Sequence, residues 1–133
     1  MGRKLSLRLM ALGAAIFAIS VPALAQAPEL RMLDQLSRGG WTLSLRDDNT
    51  VRKICLRSGR ELIQLRHTQG GCSRFIVQDK PNEVVVQYTC PGDGYGRTSI
   101  RLENNRLVQV QSQGIKSGTP FSIQGEARYN GKC

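Results

Sequence analysis

The chain has 133 residues and a formal net charge of +9. This length suits one domain that buries about two thirds of its unfolded surface, and no repeat, low-complexity linker or charge block marks a second domain. Aromatic residues make up only 5% of the sequence, which argues against nucleic acid as the partner of the positive charge.

Residues 1–25 have the pattern of a cleaved signal peptide. A basic leader precedes an apolar run at residues 9–19, which is shorter than the roughly 20 residues that a membrane-spanning helix needs. Small residues at positions 23 and 25 match the pattern that signal peptidase cuts, so cleavage is predicted between Ala25 and Gln26. The sequence therefore predicts an exported protein, periplasmic or secreted, that does not span the membrane. An uncleaved anchor helix is the alternative.

The next part of the chain is predicted to contain two short helices and two strands. Residues 28–38 are predicted to form a helix, because leucines recur on one side and glycines follow. Residues 41–46 and 51–56 are predicted strands, since apolar and polar side chains alternate in the first of them. Ser58 and Glu61 have the spacing of a capping box, which predicts the second helix.

From Cys72 onward the sequence has the pattern of strands separated by four turn groups, at residues 80–82, 91–96, 104–105 and 117–120. The prediction for residues 26–133 is a single disulfide-stapled domain that is mainly β (α+β). Its architecture is an antiparallel, strongly curved sheet or a small barrel of about seven strands with two short helices.

The middle hairpin predicts its own cross-link. If residues 80–82 form the loop, Asp79 pairs with Glu83 and the same register brings Cys72 opposite Cys90. Directly opposed residues of an antiparallel pair bring their Cα atoms within the range that a disulfide requires.

The remaining cysteines, Cys55 and Cys133, then pair by elimination, although four cysteines allow three connectivities. A zinc site and a catalytic thiol are the alternatives to two disulfides. Both are disfavoured, because no Cys-x-x-Cys occurs and the predicted compartment is oxidising.

The segments CLRSGRELIQL, CSRFIVQDKPNEVVVQYTC, GYGRTSIR and GKC resemble an exported proteobacterial family labelled domain of unknown function 3617. Gly40-Trp41 and Cys55-Leu56 stand at the places where that family has matching residues. The chain departs from the family at Arg57-Ser58, where Thr-Pro is usual. The resemblance implies a Gram-negative envelope protein with this disulfide-stapled domain, and it implies no established activity.

The sequence has no recognisable catalytic centre, so a non-enzymatic protein without cofactor or metal is predicted. His67, the only histidine, is interpreted as the last residue of the second helix, where it interacts with the helix dipole. A general base is the alternative for His67. Asp47 and Asp48 are interpreted as a turn, since the spaced carboxylates of a calcium loop are missing.

The candidate binding residues are Asp93, Tyr95, Arg97 and Arg101. Residues 91–96 are predicted to form a mobile, glycine-rich loop that presents Tyr95, because a strand follows instead of the helix that would hold phosphate. Whether Arg97 and Arg101 share a face depends on where the strand begins. The predicted partner is an unknown envelope protein or an anionic envelope component, such as lipid A phosphates or an acidic glycan.

Three functions stay open from the sequence. The preferred one is a non-catalytic envelope protein that binds a partner or ligand through one sheet face or the glycine-rich loop. The second is an inhibitor of a secreted hydrolase, such as lysozyme or a protease. The third is a carrier of a small apolar ligand inside a closed sheet.

Overall fold

A computed structural model of the chain describes residues 30–133. The predicted signal peptide, with its cleavage between Ala25 and Gln26, lies outside the described residues. The described part contains helix α1, one 3₁₀ helix and seven strands. Their bounds are α1 Arg31–Asp34, β1 Gly39–Leu45, β2 Val51–Leu56, the 3₁₀ helix Arg60–Leu62, β3 Ser73–Asp79, β4 Glu83–Cys90, β5 Gly94–Asn104, β6 Leu107–Lys116 and β7 Thr119–Gly131.

The seven strands form one antiparallel sheet in the order β2-β1-β7-β6-β5-β4-β3. The sheet is curved and its two end strands, β2 and β3, are not paired with each other. The prediction of a mainly β, antiparallel fold is confirmed. Of the two predicted architectures, a curved sheet and a small barrel, the curved sheet is the one observed. Within residues 30–133 no helix has the length and apolar character to cross a membrane.

The inner face of the sheet carries the hydrophobic core. Trp41 and Leu43 of β1 and Val84 of β4 are fully buried there, because alternate residues of a strand point to the same face. Helix α1 adds Met32 and Leu33 to this core. Each such side chain contributes about 1.5–3 kcal/mol to folding when it leaves water.

Residues 57–72, which link β2 to β3, also lie against the inner face, and we call them the crossing segment. Their buried Leu62 and Ile63 extend the core. Arg52 of β2 donates to the Leu65 carbonyl oxygen at 3.5 Å, and Arg74 of β3 donates to Gln64 at 2.7 Å. The crossing segment therefore contacts both end strands of the open sheet.

The second predicted helix is only a 3₁₀ turn, and its capping box is half formed. The Glu61 carboxylate accepts from the Ser58 backbone N–H at 3.3 Å, as predicted. The Ser58 hydroxyl accepts from the backbone N–H of Arg60, not of Glu61. Gly59, directly before the turn, has a φ of 78°, a left-handed conformation that glycine adopts without strain.

Both predicted disulfides are present. The Cα atoms of Cys72 and Cys90 are 4.3 Å apart, and those of Cys55 and Cys133 are 5.6 Å apart. Near the cysteines the β3–β4 register is the predicted one. Toward the loop it shifts at a bulge, so Asp79 faces Val84, and the predicted pairing of Asp79 with Glu83 is wrong. The bulge removes a repulsion between two opposed carboxylates.

Candidate functional site

Tyr95, Arg97 and Arg101 lie on one face of β5. They alternate along a regular strand, and all three are exposed on the outer face, opposite the core. Because β5 begins at Gly94, Arg97 and Arg101 both belong to it, and residues four positions apart on a strand lie on the same face. Tyr95 belongs to the strand and not to a loop, which corrects the predicted presentation of its side chain.

Asp93 directly precedes β5 and has a structural role. Its carboxylate accepts hydrogen bonds from Gln69 at 2.7 Å, Lys116 at 2.6 Å and Ser117 at 2.6 Å. The Asp93 carbonyl oxygen accepts from the backbone N–H of Ser117 at 2.7 Å. The charge and hydrogen bond of Lys116, with those of its neighbours, hold the pKa of the Asp93 carboxyl well below its usual range. The turn before β5 is therefore tied to the β6–β7 turn, which contradicts a mobile loop.

The outer face of the sheet carries a polar groove along strands β4 to β7. Three adjoining depressions form it, and the widest has a volume of about 410 Å³. Arg97 and Gln113 line two of the depressions in common. Ser99, Gln111 and Gln124 are shared with the third, so the groove is continuous. Its other lining side chains include Arg46, Glu83, Gln87, Tyr95, Arg101, Gln109, Ile115 and Ser122.

One row of opposed residues crosses all four strands of the polar groove. Its members are Gln87, Arg97, Gln113 and Ser122. No hydrogen bond or ion pair from elsewhere in residues 30–133 occupies their side chains. Opposed side chains of neighbouring strands have Cβ atoms about 4.5–5.5 Å apart, so these donors and acceptors reach one ligand together.

The charge in the polar groove is not evenly distributed. At one end, Arg101 is paired with Glu103 at 2.9 Å and faces Glu83 across β4 and β5. At the other end, Arg97 has no acidic partner among the described residues and lies two positions from Tyr95. Arg46 also lines the end at Arg101, where it donates to Gln109 at 2.7 Å. Arg97 is therefore the guanidinium of the groove that has no hydrogen-bonding partner within residues 30–133, and we call its end, beside the exposed ring of Tyr95, the positive end.

His67 is a buried residue that the sequence interpretation placed wrongly. The 3₁₀ helix ends at Leu62, and His67 is fully buried under the sheet, with no helix terminus beside it. Its ring lies 5.2 Å from the ring of Tyr88 and 5.8 Å from that of Phe121. The only sign of this burial in the sequence is that His67 follows Leu65 by two residues. In an extended segment, side chains with this spacing point to the same side, which here is the apolar one.

Asp48 accepts from the backbone N–H of Thr50 at 3.0 Å, which is the geometry of the predicted turn. Among residues 30–133, no group of histidine, cysteine and carboxylate side chains has the arrangement of a metal site.

Comparisons with protein-family models, curated proteins and solved structures find no match. The resemblance to domain of unknown function 3617 therefore stays a prediction.

Proposed function

We propose that this chain is an exported, periplasmic protein that binds an anionic glycan in the polar groove and catalyses no reaction. The observation that carries this proposal is the row of unoccupied side chains from Gln87 to Ser122, with Arg97 among them. The two disulfides support an oxidising compartment, and the sequence pattern of residues 1–25 supports export.

The chemistry of the polar groove favours a glycan over the other anionic candidates. Side-chain amides carry both donors and acceptors, as sugar hydroxyls do, so the two sets of groups can pair in several registers. A guanidinium binds a sugar carboxylate through two parallel hydrogen bonds. The exposed ring of Tyr95 at the positive end offers an apolar surface to the face of a sugar ring.

The shape of the polar groove also suits an extended chain. Tyr95 and Arg101 are six residues apart on β5, which corresponds to a length of about 20 Å. A protein partner would be expected to use a buried apolar anchor, whereas the groove is lined mainly by glutamine, serine and arginine. Lipid phosphates would be expected to use several unpaired cations together, whereas Arg101 is already paired with Glu103.

Isothermal titration of the oxidised protein with oligogalacturonate and with a neutral galactan of matched length tests the proposal. The acidic glycan should bind, with an affinity that falls as salt rises, and the neutral one should bind more weakly. Arg97→Gln should weaken the binding of oligogalacturonate about tenfold, because it removes a charge-assisted pair. Arg57→Gln is the matched control, because Arg57 is exposed outside the groove. Equal effects of the two variants, or equal binding of both glycans, would remove the support for this function.

A second candidate, an inhibitor of a secreted hydrolase, is favoured by one observation. The exposed turn Pro91-Gly92 is held rigidly through Asp93, and rigid exposed loops are what such inhibitors insert into their targets. Inhibition of lysozyme or of a protease panel by the wild type, lost in Asp93→Asn, would favour it. The carrier of an apolar ligand receives no such support, since large side chains such as Trp41 and Tyr88 fill the inner face.

A further inference from the structure

The two disulfides differ in their exposure to solvent. Cys90 is 1% exposed and belongs to the core, and Cys72 is half-buried beside it. Cys55 and Cys133 are both exposed. A thiol in solution can therefore approach the Cys55–Cys133 bond directly, whereas the Cys72–Cys90 bond is shielded by the fold.

The exposed disulfide lies in a cleft of about 540 Å³, which we call the cysteine cleft. Lys53 and Lys132 line it together with the two cysteines. Neither lysine has an acidic partner among the described residues. Gly40 also lines the cleft, and a Cβ there would lie 2.6 Å from Oδ1 of Asn130 and 2.8 Å from the carbonyl oxygen of Lys132, so the chain after β7 packs closely against residue 40. An electrophilic S–S bond thus shares with two lysine side chains a cleft large enough for a small molecule.

We propose that the cysteine cleft is a site of thiol–disulfide exchange for small anionic thiols, of which glutathione is an example. The thiolate of the small thiol attacks Sγ of Cys133 and forms a new S–S bond with it. The Cys55–Cys133 bond breaks, and its electron pair leaves on Sγ of Cys55 as a thiolate. A second small thiolate then displaces Cys133 and releases the symmetrical disulfide, which leaves both cysteines reduced.

The surroundings of Cys55 favour it as the leaving group. Lys53 precedes it by two residues on β2, so both side chains lie on the same face of the strand. A nearby ammonium group stabilises a thiolate, and a more stable thiolate leaves faster in the exchange. The chain acts here as the disulfide that is attacked, so the reaction needs no Cys-x-x-Cys motif of its own.

The exchange leaves the sheet paired. Cys133 lies outside the sheet, after β7 has ended at Gly131, so no strand pairing runs through it. The Cys72–Cys90 bond stays closed in the core and continues to hold β4. The modification therefore opens the cysteine cleft without opening the hydrophobic core, and it does not depend on the proposed glycan binding.

Three thiols that differ only in their charged end test this proposal: 2-mercaptoethanesulfonate (anionic), 2-mercaptoethanol (neutral) and cysteamine (cationic). The folded, oxidised protein is mixed with each, quenched with acid and mapped by mass spectrometry without reduction. Rates per thiolate at low salt should be about tenfold higher for the anionic than for the cationic thiol. The first adduct should be on Cys133, and about 0.5 M salt should abolish the preference.

The double variant Lys53→Gln/Lys132→Gln should lose the preference for the anionic thiol, while its near-ultraviolet circular dichroism stays that of the wild type. Lys80→Gln is the matched control, since Lys80 is exposed on the turn between β3 and β4 and should leave the rates unchanged. Equal rates for the three thiols on the wild type, a first adduct on Cys72 or Cys90, or reaction only in denaturant would each overturn the proposal.

Discussion

The Nδ1 atom of His67 lies 3.0 Å from the hydroxyl oxygen of Tyr88, and both side chains are buried. A second set of buried hydrogen bonds also reaches the crossing segment. The Ser112 hydroxyl lies 2.8 Å from the Thr98 hydroxyl, and Thr98 donates to the carbonyl oxygen of Ile63 at 2.6 Å.

The direction of the hydrogen bonds of Thr98 and Ser112 follows from their last acceptor. A carbonyl oxygen only accepts, so Thr98 donates to it and must accept from Ser112. In the pair of His67 and Tyr88 the donor depends on the tautomer of His67, and Nε2 is the ring atom that finds no partner among the described residues. Together these hydrogen bonds join the crossing segment to β4, β5 and β6.

Replacing Tyr88 by phenylalanine should lower the free energy of unfolding by about 1–3 kcal/mol, because it leaves Nδ1 of His67 buried without its partner. Urea unfolding followed by tryptophan fluorescence measures the loss. Tyr95→Phe is the matched control, since the Tyr95 hydroxyl is exposed and makes no hydrogen bond within the described chain. A Tyr88→Phe protein as stable as Tyr95→Phe would show that the hydrogen bond between His67 and Tyr88 contributes nothing to stability.

Gly96 makes room for Tyr88, and its replacement by alanine should also destabilise the fold. The two residues are directly opposed on β4 and β5, and a Cβ at position 96 would overlap the hydroxyl and ring of Tyr88. The overlap forces Tyr88 away from His67 and should cost about 1–3 kcal/mol of unfolding free energy. Gly70→Ala is the control, because a Cβ there meets nothing within 4 Å, and that variant should unfold at the wild-type urea concentration or slightly above.

The regular parts of this fold were predictable from the residue pattern, and the irregular parts were not. The strand predicted at residues 41–46 followed from the alternation of apolar and polar side chains, and the structure has β1 there at Gly39–Leu45. The bulge in β3 did not, because one extra residue leaves no mark in the alternation around Asp79. His67 was misplaced because a local pattern shows a helix end but not which surface later covers it.

The polar groove shows the same limit on a larger scale. Tyr95, Arg97 and Arg101 were selected from their charge, aromatic character and closeness in sequence. Their glutamine and serine neighbours come largely from β4, β6 and β7, and the sheet order places β4 and β6 beside β5 and β7 on the far side of β6. A ligand site made of opposed residues on several strands is therefore invisible until the register of each pair is known.

The Asp93 carboxyl should make the free energy of unfolding depend on pH in the acidic range. Its pKa is lowered in the folded protein from the ordinary 3.8, chiefly by Lys116, so its contribution is complete above the unfolded pKa. It is lost as the pH falls below about 4 and through the lower folded pKa. Asp93→Asn should therefore unfold at lower urea than the wild type at pH 7, and the difference should shrink near pH 3. Asp79→Asn, at an exposed carboxylate without a partner in the described chain, should show no such trend.

Removing the two disulfides separately should show whether each stabilises the fold by restricting the unfolded chain or by its packing in the native core. In the entropic treatment, the Cys55–Cys133 link, with a sequence separation of 78, should contribute about 4.5 kcal/mol. The Cys72–Cys90 link, with a separation of 18, should contribute about 3 kcal/mol. Urea unfolding of the two double Cys→Ala variants should then show the larger loss for the exposed pair. A larger loss at Cys72–Cys90 would mean that packing of this bridge in the native core outweighs its effect on the unfolded chain.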